Sequence, residues 1–164
     1  THIRLSEMFK KHSIERNYQL LVWNIPYSKG FIDQPIGRSN FNRKKMAINL
    51  NGKRAVTHWK LLQVFSNLVS LISCKLETGR THQIRVHMSS IGHSLIGDKI
   101  YGSVPKLNKN YNVLERDIIS KCKNFSRQAL HSKTLSFQHP ILKEKMHFEI
   151  DLPNDIKNLI NSIK

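Results

Sequence analysis

Acidic side chains are scarce in this sequence. Only 11 Asp and Glu stand against 27 Lys and Arg among 164 residues, a formal charge of +16, although charged residues together make up an ordinary 23%. The excess therefore comes from missing acids rather than from a polybasic tail. The positive field is expected on the folded surface, and the expected partner is a polyanion, nucleic acid ahead of an anionic membrane. Cysteine is nearly absent as well. Cys74 and Cys122 are too few for a disulfide framework and neither belongs to a Cys-x-x-Cys pair, which fits a reducing, cytoplasmic setting. No apolar run approaches the roughly 18 residues of a membrane span, so no membrane partner is expected. The seven glycines build no phosphate-cradling loop, because Gly97-Asp-Lys-Ile-Tyr-Gly102 lacks the required spacing. Internal repeats, low-complexity blocks and Pro/Gly/Ser-rich linkers are missing too.

What is present suffices for a core. Hydrophobic residues make up 39%, with seven Phe, four Tyr and two Trp, so burial can offset chain entropy and one folded domain is expected. Leu5, Met8 and Phe9 predict a short amphipathic helix over 3–11. Residues 18–25, rich in β-formers and stopped by Pro26, predict a buried strand, followed by a turn at Ser28-Lys-Gly30. Residues 37–45 read as a basic polar loop, and 46–50 as a short strand ending at the Asn51-Gly52 turn signal. The runs 55–65 and 68–76 read as a hairpin across Ser66-Asn67.

From Thr81 to Ile91 the period changes. Ile84, Met88 and Ile91 fall at i, i+4 and i+7, predicting a helix capped by Thr81 and stopped by Gly92. Another helix is expected within 111–122 and a hairpin from 130–137 and 146–152. In its second strand Met146, Phe148, Ile150 and Leu152 alternate with polar residues, as in a strand buried on one face. Pro153 opens a last helix. The sum is an α+β domain of mostly antiparallel or mixed β-sheet with flanking helices.

The densest polar cluster is Gly79-Arg-Thr-His-Gln-Ile-Arg-Val-His87, at a strand end running into a helix N-terminus, where backbone N–H groups beside Arg80 and His82 suit a phosphate or carboxylate. His82, Arg85 and Ser89 share a helix face distinct from the Ile84/Met88/Ile91 face. A solvated polar face is the plain alternative. No metal site is expected. His82 and His87 are five apart, the wrong spacing for two ligands on one face, and no Cys pair or acidic partner completes a zinc set. Both cysteines read as packing residues. Arg38, Arg43, Lys44 and Lys45, interleaved with Phe41, fit a nucleic-acid contact, charge for phosphates and an aromatic ring for stacking; a mobile solvated loop is the alternative.

Leu76-Glu-Thr-Gly-Arg-Thr-His-Gln-Ile-Arg-Val-His-Met88, followed by Gly92-His and Gly97-Asp98-x-x-Tyr101-Gly102, resembles the signature stretch of the RluA-type pseudouridine synthases. Supporting matches in family order cover almost the whole chain: Glu15 to Val22, Pro35-Ile-Gly-Arg38, Arg43-Lys-Lys-Met-Ala47, Gly52-Lys-x-Ala55-Val-Thr-His58, Arg127-Gln-Ala-Leu-His131 and Phe137-x-His-Pro140. The resemblance implies isomerisation of uridine to pseudouridine within structured RNA, most closely large-subunit ribosomal RNA, without metal or organic cofactor, on a nucleotide extruded from its helix. It makes Tyr18 the tyrosine that stacks on the base and takes part in proton transfer, and Arg85 the arginine that pairs with the catalytic aspartate. Arg80, His82 and Gln83 then line the RNA side of the cleft.

The family's aspartate lies in a string of the form His-Arg-Leu-Asp-x-x-Thr-Ser-Gly, and this sequence contains none. Residues 1–164 are therefore expected to be the C-terminal part of one catalytic domain, inactive alone, with the aspartate and any N-terminal RNA-binding module upstream. The missing part should leave a sheet edge and apolar surface uncovered, through which the chain could self-associate. The rival reading is a non-catalytic basic RNA-binding module, which has no need of an unpaired cleft arginine. A hydrolase using His82 and His87 is disfavoured because their spacing turns them to different faces.

Overall fold

The computed structural model describes Arg4, Met8, residues 14–105 and residues 110–164. Apart from Arg4 and Met8, the helix expected over 3–11 lies outside the described residues. The elements run β1 (Glu15–Trp23), β2 (Lys29–Asp33), β3 (Ile36–Arg38), β4 (Met46–Ile48), β5 (Val56–Phe65), β6 (Val69–Leu76), α1 (Gln83–Ser90), α2 (Val113–Lys123), β7 (Leu130–Gln138), β8 (Lys145–Glu149) and α3 (Asn154–Ser162). One six-stranded sheet has the order β2-β5-β6-β1-β7-β8, and β3-β4 form a separate ribbon. Every pair is antiparallel, so the α+β expectation holds.

The sheet is packed on both faces, and the alternation of β1 shows how. Leu21 and Trp23 point into one core with Phe65, Ile118, Ile119, Ile156 and Ile160 from α2 and α3. Leu20 and Val22 point into the other, with Ile72, Cys74, Ile84 and Met88. Tyr18, two residues before Leu20, lies on this second face at the rim of the α1 core. Burial pushes both thiols up to about 12, so Cys74 and Cys122 are inert packing residues.

The β5–β6 hairpin turns through Ser66 and Asn67 at φ 45° and 55°, the left-handed pair that matches strand twist. Asn112 caps α2 in a reciprocal capping box with Glu115. Two strands replace expected irregular segments. Ser28-Lys-Gly30 is not a turn; Gly30 sits within β2 because the Trp59 indole on the paired strand lies over its α-carbon, where a β-carbon would collide. The start of the basic loop, Gly37 and Arg38, belongs to β3, since the preceding Ile36 is drawn into a small core with Ala55 and Val86.

Two expectations about packing fail. Ile91 does not complete an apolar helix face but is partly exposed, because α1 ends at Ser90 and Gly92, at φ 81°, turns the chain away. The alternation in β8 is real but uncovered: Phe148 and Ile150 are 48% and 60% exposed. The reason is position. β8 is an edge strand, and among the described residues no element covers its apolar face. Phe148 has only Phe137 stacked beside it, with ring centroids 6.1 Å apart.

Candidate active site

The turn entering α1 is built from the side chain of Gln83. Its amide nitrogen donates to the Val56 carbonyl (2.9 Å) and the Thr57 hydroxyl oxygen (3.1 Å). Its oxygen accepts from the Thr78 hydroxyl (2.8 Å) and the Arg80 backbone N–H (2.9 Å). Both donors and both acceptor positions are used, and Gln83 is buried. Its amide is thus fully used in clamping the turn that presents Arg80. Thr81 is not the cap. His82 occupies that position at φ 58° without a capping side-chain bond, because the turn is already held through Gln83.

His87 is fully buried and structural. It donates from Nε2 to the Gln34 carbonyl (3.0 Å), and its Nδ1 meets the Thr57 hydroxyl (2.9 Å). Burial lowers its pKa, partly offset by the Gln34 carbonyl, so it stays neutral. His82 and His87 share no site. Among the described residues no group of three or more His, Cys, Asp or Glu could hold a metal ion, and no helix is long and apolar enough to cross a membrane.

The polar face of α1 docks onto the Gly97–Gly102 turn. Arg85 donates from Nε and Nη2 to the two oxygens of Asp98, both at 2.7 Å, and its guanidinium lies 4.9 Å from the Tyr101 ring centre. Asp98 also accepts from the backbone N–H of Ile100 and Tyr101. Burial alone would raise the Asp98 pKa, but the Arg85 fork and these N–H groups outweigh it and hold the carboxyl below its usual range. Ser89 donates to the Tyr101 carbonyl. The Tyr101 hydroxyl accepts from Met46 N–H (2.9 Å) and faces His82 Nδ1 (2.9 Å). Burial and then Arg85 lower the His82 pKa, which favours a neutral imidazole beside the Tyr101 hydroxyl.

Arg85 is thus not the unpaired cation expected from sequence. Its carboxylate lies in the chain, 13 residues on. The side-on fork leaves Nη1 without a partner among the described residues, so the guanidinium can still receive a second carboxylate end-on.

Around this pair opens a cavity of about 310 Å³, lined by Tyr18, Leu76, Arg80, His82, Gln83, Ile84, Arg85, Gln128 and Leu130, a volume suited to one small planar group. The five cleft residues singled out in the sequence converge here. Leu76, Ile84, Gln128 and Leu130 join them unforeseen; the last two lie in the Arg-Gln-Ala-Leu-His string, whose arginine forks onto Asp155 (2.7 and 2.9 Å) and so carries the strand start into place. Arg80 donates Nε to the Arg54 carbonyl (2.9 Å), leaving its Nη groups unengaged among the described residues.

The other four residues lie on the β3–β4 ribbon, outside the cavity. Arg38 braces the loop through the Arg43 carbonyl (2.8 Å), and Lys45 ties it to the Ile100 carbonyl (3.0 Å). Arg43 and Lys44 are exposed, and the Phe41 ring stands fully in solvent. The loop is tethered rather than free, and its tether lands on the turn that holds Arg85.

Two human structures, RNA Pseudouridylate Synthase Domain Containing 4 and Domain Containing 1, share this fold. Their TM-scores are 0.74 and 0.70 at 22% and 24% identity, covering 98% and 96% of this chain and 66% and 69% of theirs. In sequence, the ribosomal large subunit pseudouridine synthase D of Zymomonas mobilis is 44% identical over 164 residues, and that of Haemophilus influenzae 40% over 161. These alignments cover 99% and 98% of this chain but 49% and 48% of the relatives; the chain spans about half the length of the curated relatives it matches. The model of the RNA pseudouridylate synthase family matches residues 1–90, the stretch carrying Tyr18, the basic ribbon and α1 with its clamp, and the chain belongs to that family.

Proposed function

We propose that the chain supplies the base-holding half of an enzyme that isomerises uridine to pseudouridine in large-subunit ribosomal RNA. The observation that carries this reading is a buried, permanently charged Arg85, oriented by Asp98 and opening with Tyr18 onto one base-sized cavity. A binding module gains little from a desolvated cation held this way, because an exposed lysine contacts phosphate at lower cost. Tyr18 stacks on the extruded uracil. Arg85 receives the aspartate of the remainder of the protein and fixes its oxygens for attack on the glycosidic carbon. The relatives' names support ribosomal RNA as the substrate, and the +16 charge supports binding to it.

The test is Arg85→Gln in the protein completed with its aspartate-bearing part. Turnover should fall by about 10²-fold or more, in line with loss of a charge-orienting group, while RNA affinity stays within about threefold. A parallel loss of affinity and turnover would favour the binding-module reading.

Self-association of the isolated chain belongs to the same reading. Antiparallel pairing of two β8 edges about His147 sets Lys145 opposite Glu149 and Met146 opposite Phe148 of the second copy, complementary in charge and apolar contact. The net charge opposes it, so a dimer should grow with salt in sedimentation runs, and Phe148→Lys should leave monomer throughout. Wild-type monomer at high salt and high concentration would contradict it.

A further inference from the structure

A second groove, of about 420 Å³, lies beside the cleft between the β3–β4 ribbon, the turn at Asn51 to Lys53 and the turn into α1. Three glycines line it together with Ile36 and Met46. Gly52 packs so tightly on Ile36 and Gly37 that a β-carbon there would strike main chain, while Gly37 lies against the Asn49 side chain and Gly79 against the Arg16 guanidinium. The rim holds Lys53, Asn51, Thr81 and Arg80, and no carboxylate lines it. Lys53 and Asn51 are exposed, and their side chains have no partner among the described residues. The contrast with Arg54 is direct: one residue on, that cation is matched by Asp33 and Glu77. Arg80 lines both this groove and the cleft, so the two spaces form one track from Tyr18 toward the basic ribbon.

We propose that this groove is a phosphodiester subsite, holding the RNA strand next to the nucleotide in the cleft, with Lys53 as its distal cation and Arg80 as the pivot. The proposal rests on the RNA-enzyme reading above and adds a place for the flanking strand. A lining with three glycines lets a sugar-phosphate chain approach closely, and donors without acids select an anion.

The test uses the 164-residue chain and a short RNA hairpin with a uridine-bearing loop, with affinity followed from about 50 to 200 mM salt. Lys53→Gln should weaken binding roughly three- to tenfold at low salt and lower the salt slope by about 1, as loss of one phosphate contact requires, and Lys53→Arg should restore both. Lys123→Gln, at the exposed end of α2, removes the same charge and should change neither. If Lys53→Gln leaves the slope unchanged while Arg43→Gln with Lys44→Gln lowers it, the groove proposal is overturned and RNA binding through the ribbon stands. If Lys123→Gln matches Lys53→Gln, the effect is one of total charge and the groove is overturned. If the wild-type chain shows no salt-dependent RNA binding, the RNA reading itself fails and takes the groove with it.

Discussion

Replacing Asp98 with Asn lowers the unfolding free energy by roughly 3–5 kcal/mol, the range for removing one partner of a buried ion pair. Urea denaturation at pH 7 reads it directly. The side chain of Asp98 is fully buried and that of Arg85 is only 10% exposed, so the surviving guanidinium has little water to turn to. Asn can still accept from the Ile100 and Tyr101 N–H groups through its oxygen. Its amide, however, sets donors against the donors of Arg85, and a desolvated cation is left without a counter-charge. For a domain stabilised by about 5–15 kcal/mol this is a large share.

The same pair gives a pH dependence of fixed sign. The Asp98 pKa is depressed in the folded state, so its contribution is complete above the unfolded carboxyl value of about 3.9 and is lost as pH falls through the lower folded value. Asp98→Asn should remove that part of the acid sensitivity. A loss under about 1 kcal/mol at pH 7 would place the pair in solvent rather than in the interior.

How far the sequence revealed this arrangement depends on whether the signal was local. The β5–β6 hairpin was legible because two apolar runs flank a short polar turn; α2 was expected only as a helix within 111–122, and its capping box is seen in the fold. The ends of α1 were half legible. Gly92 marked the stop, but the entry is made by Gln83 reaching to strand residues 26 and 27 positions away, which no local cap rule contains. Gly30 read as a breaker because its partner, the Trp59 ring, sits on a strand far along the chain. In the cleft, Tyr18, Arg80, His82 and Arg85 were legible from the resemblance and one helix face. The pairing of Arg85 was not: Asp98 sits in a turn whose own backbone bonds gave it a sufficient structural reason, and only the fold brings α1 onto that turn.

The largest expected effect concerns turnover, where the aspartates decide. Asp33 pairs with Arg54, Asp117 with Lys121, Asp151 with Lys133 and Lys157, and Asp155 with Arg127. None of these four lines the cleft cavity. Asp98 is the aspartate held against the cleft arginine, and it is buried with both oxygens engaged by Arg85 and two backbone N–H groups. A nucleophile must face the substrate, and the Asp98 side chain is fully buried and does not line the cleft cavity. On the proposed reading another part of the protein supplies the attacking carboxylate, and Arg85 keeps Nη1 open to receive it.

Pseudouridine content in large-subunit ribosomal RNA, measured by mass spectrometry after incubation with the chain alone and with the chain joined to the aspartate-bearing half of its relatives, tests this account most directly. The account predicts no pseudouridine above background from the chain alone and site-specific conversion once the two halves are joined. Conversion by the chain alone, abolished by Asp98→Asn in a variant that still folds, would contradict it.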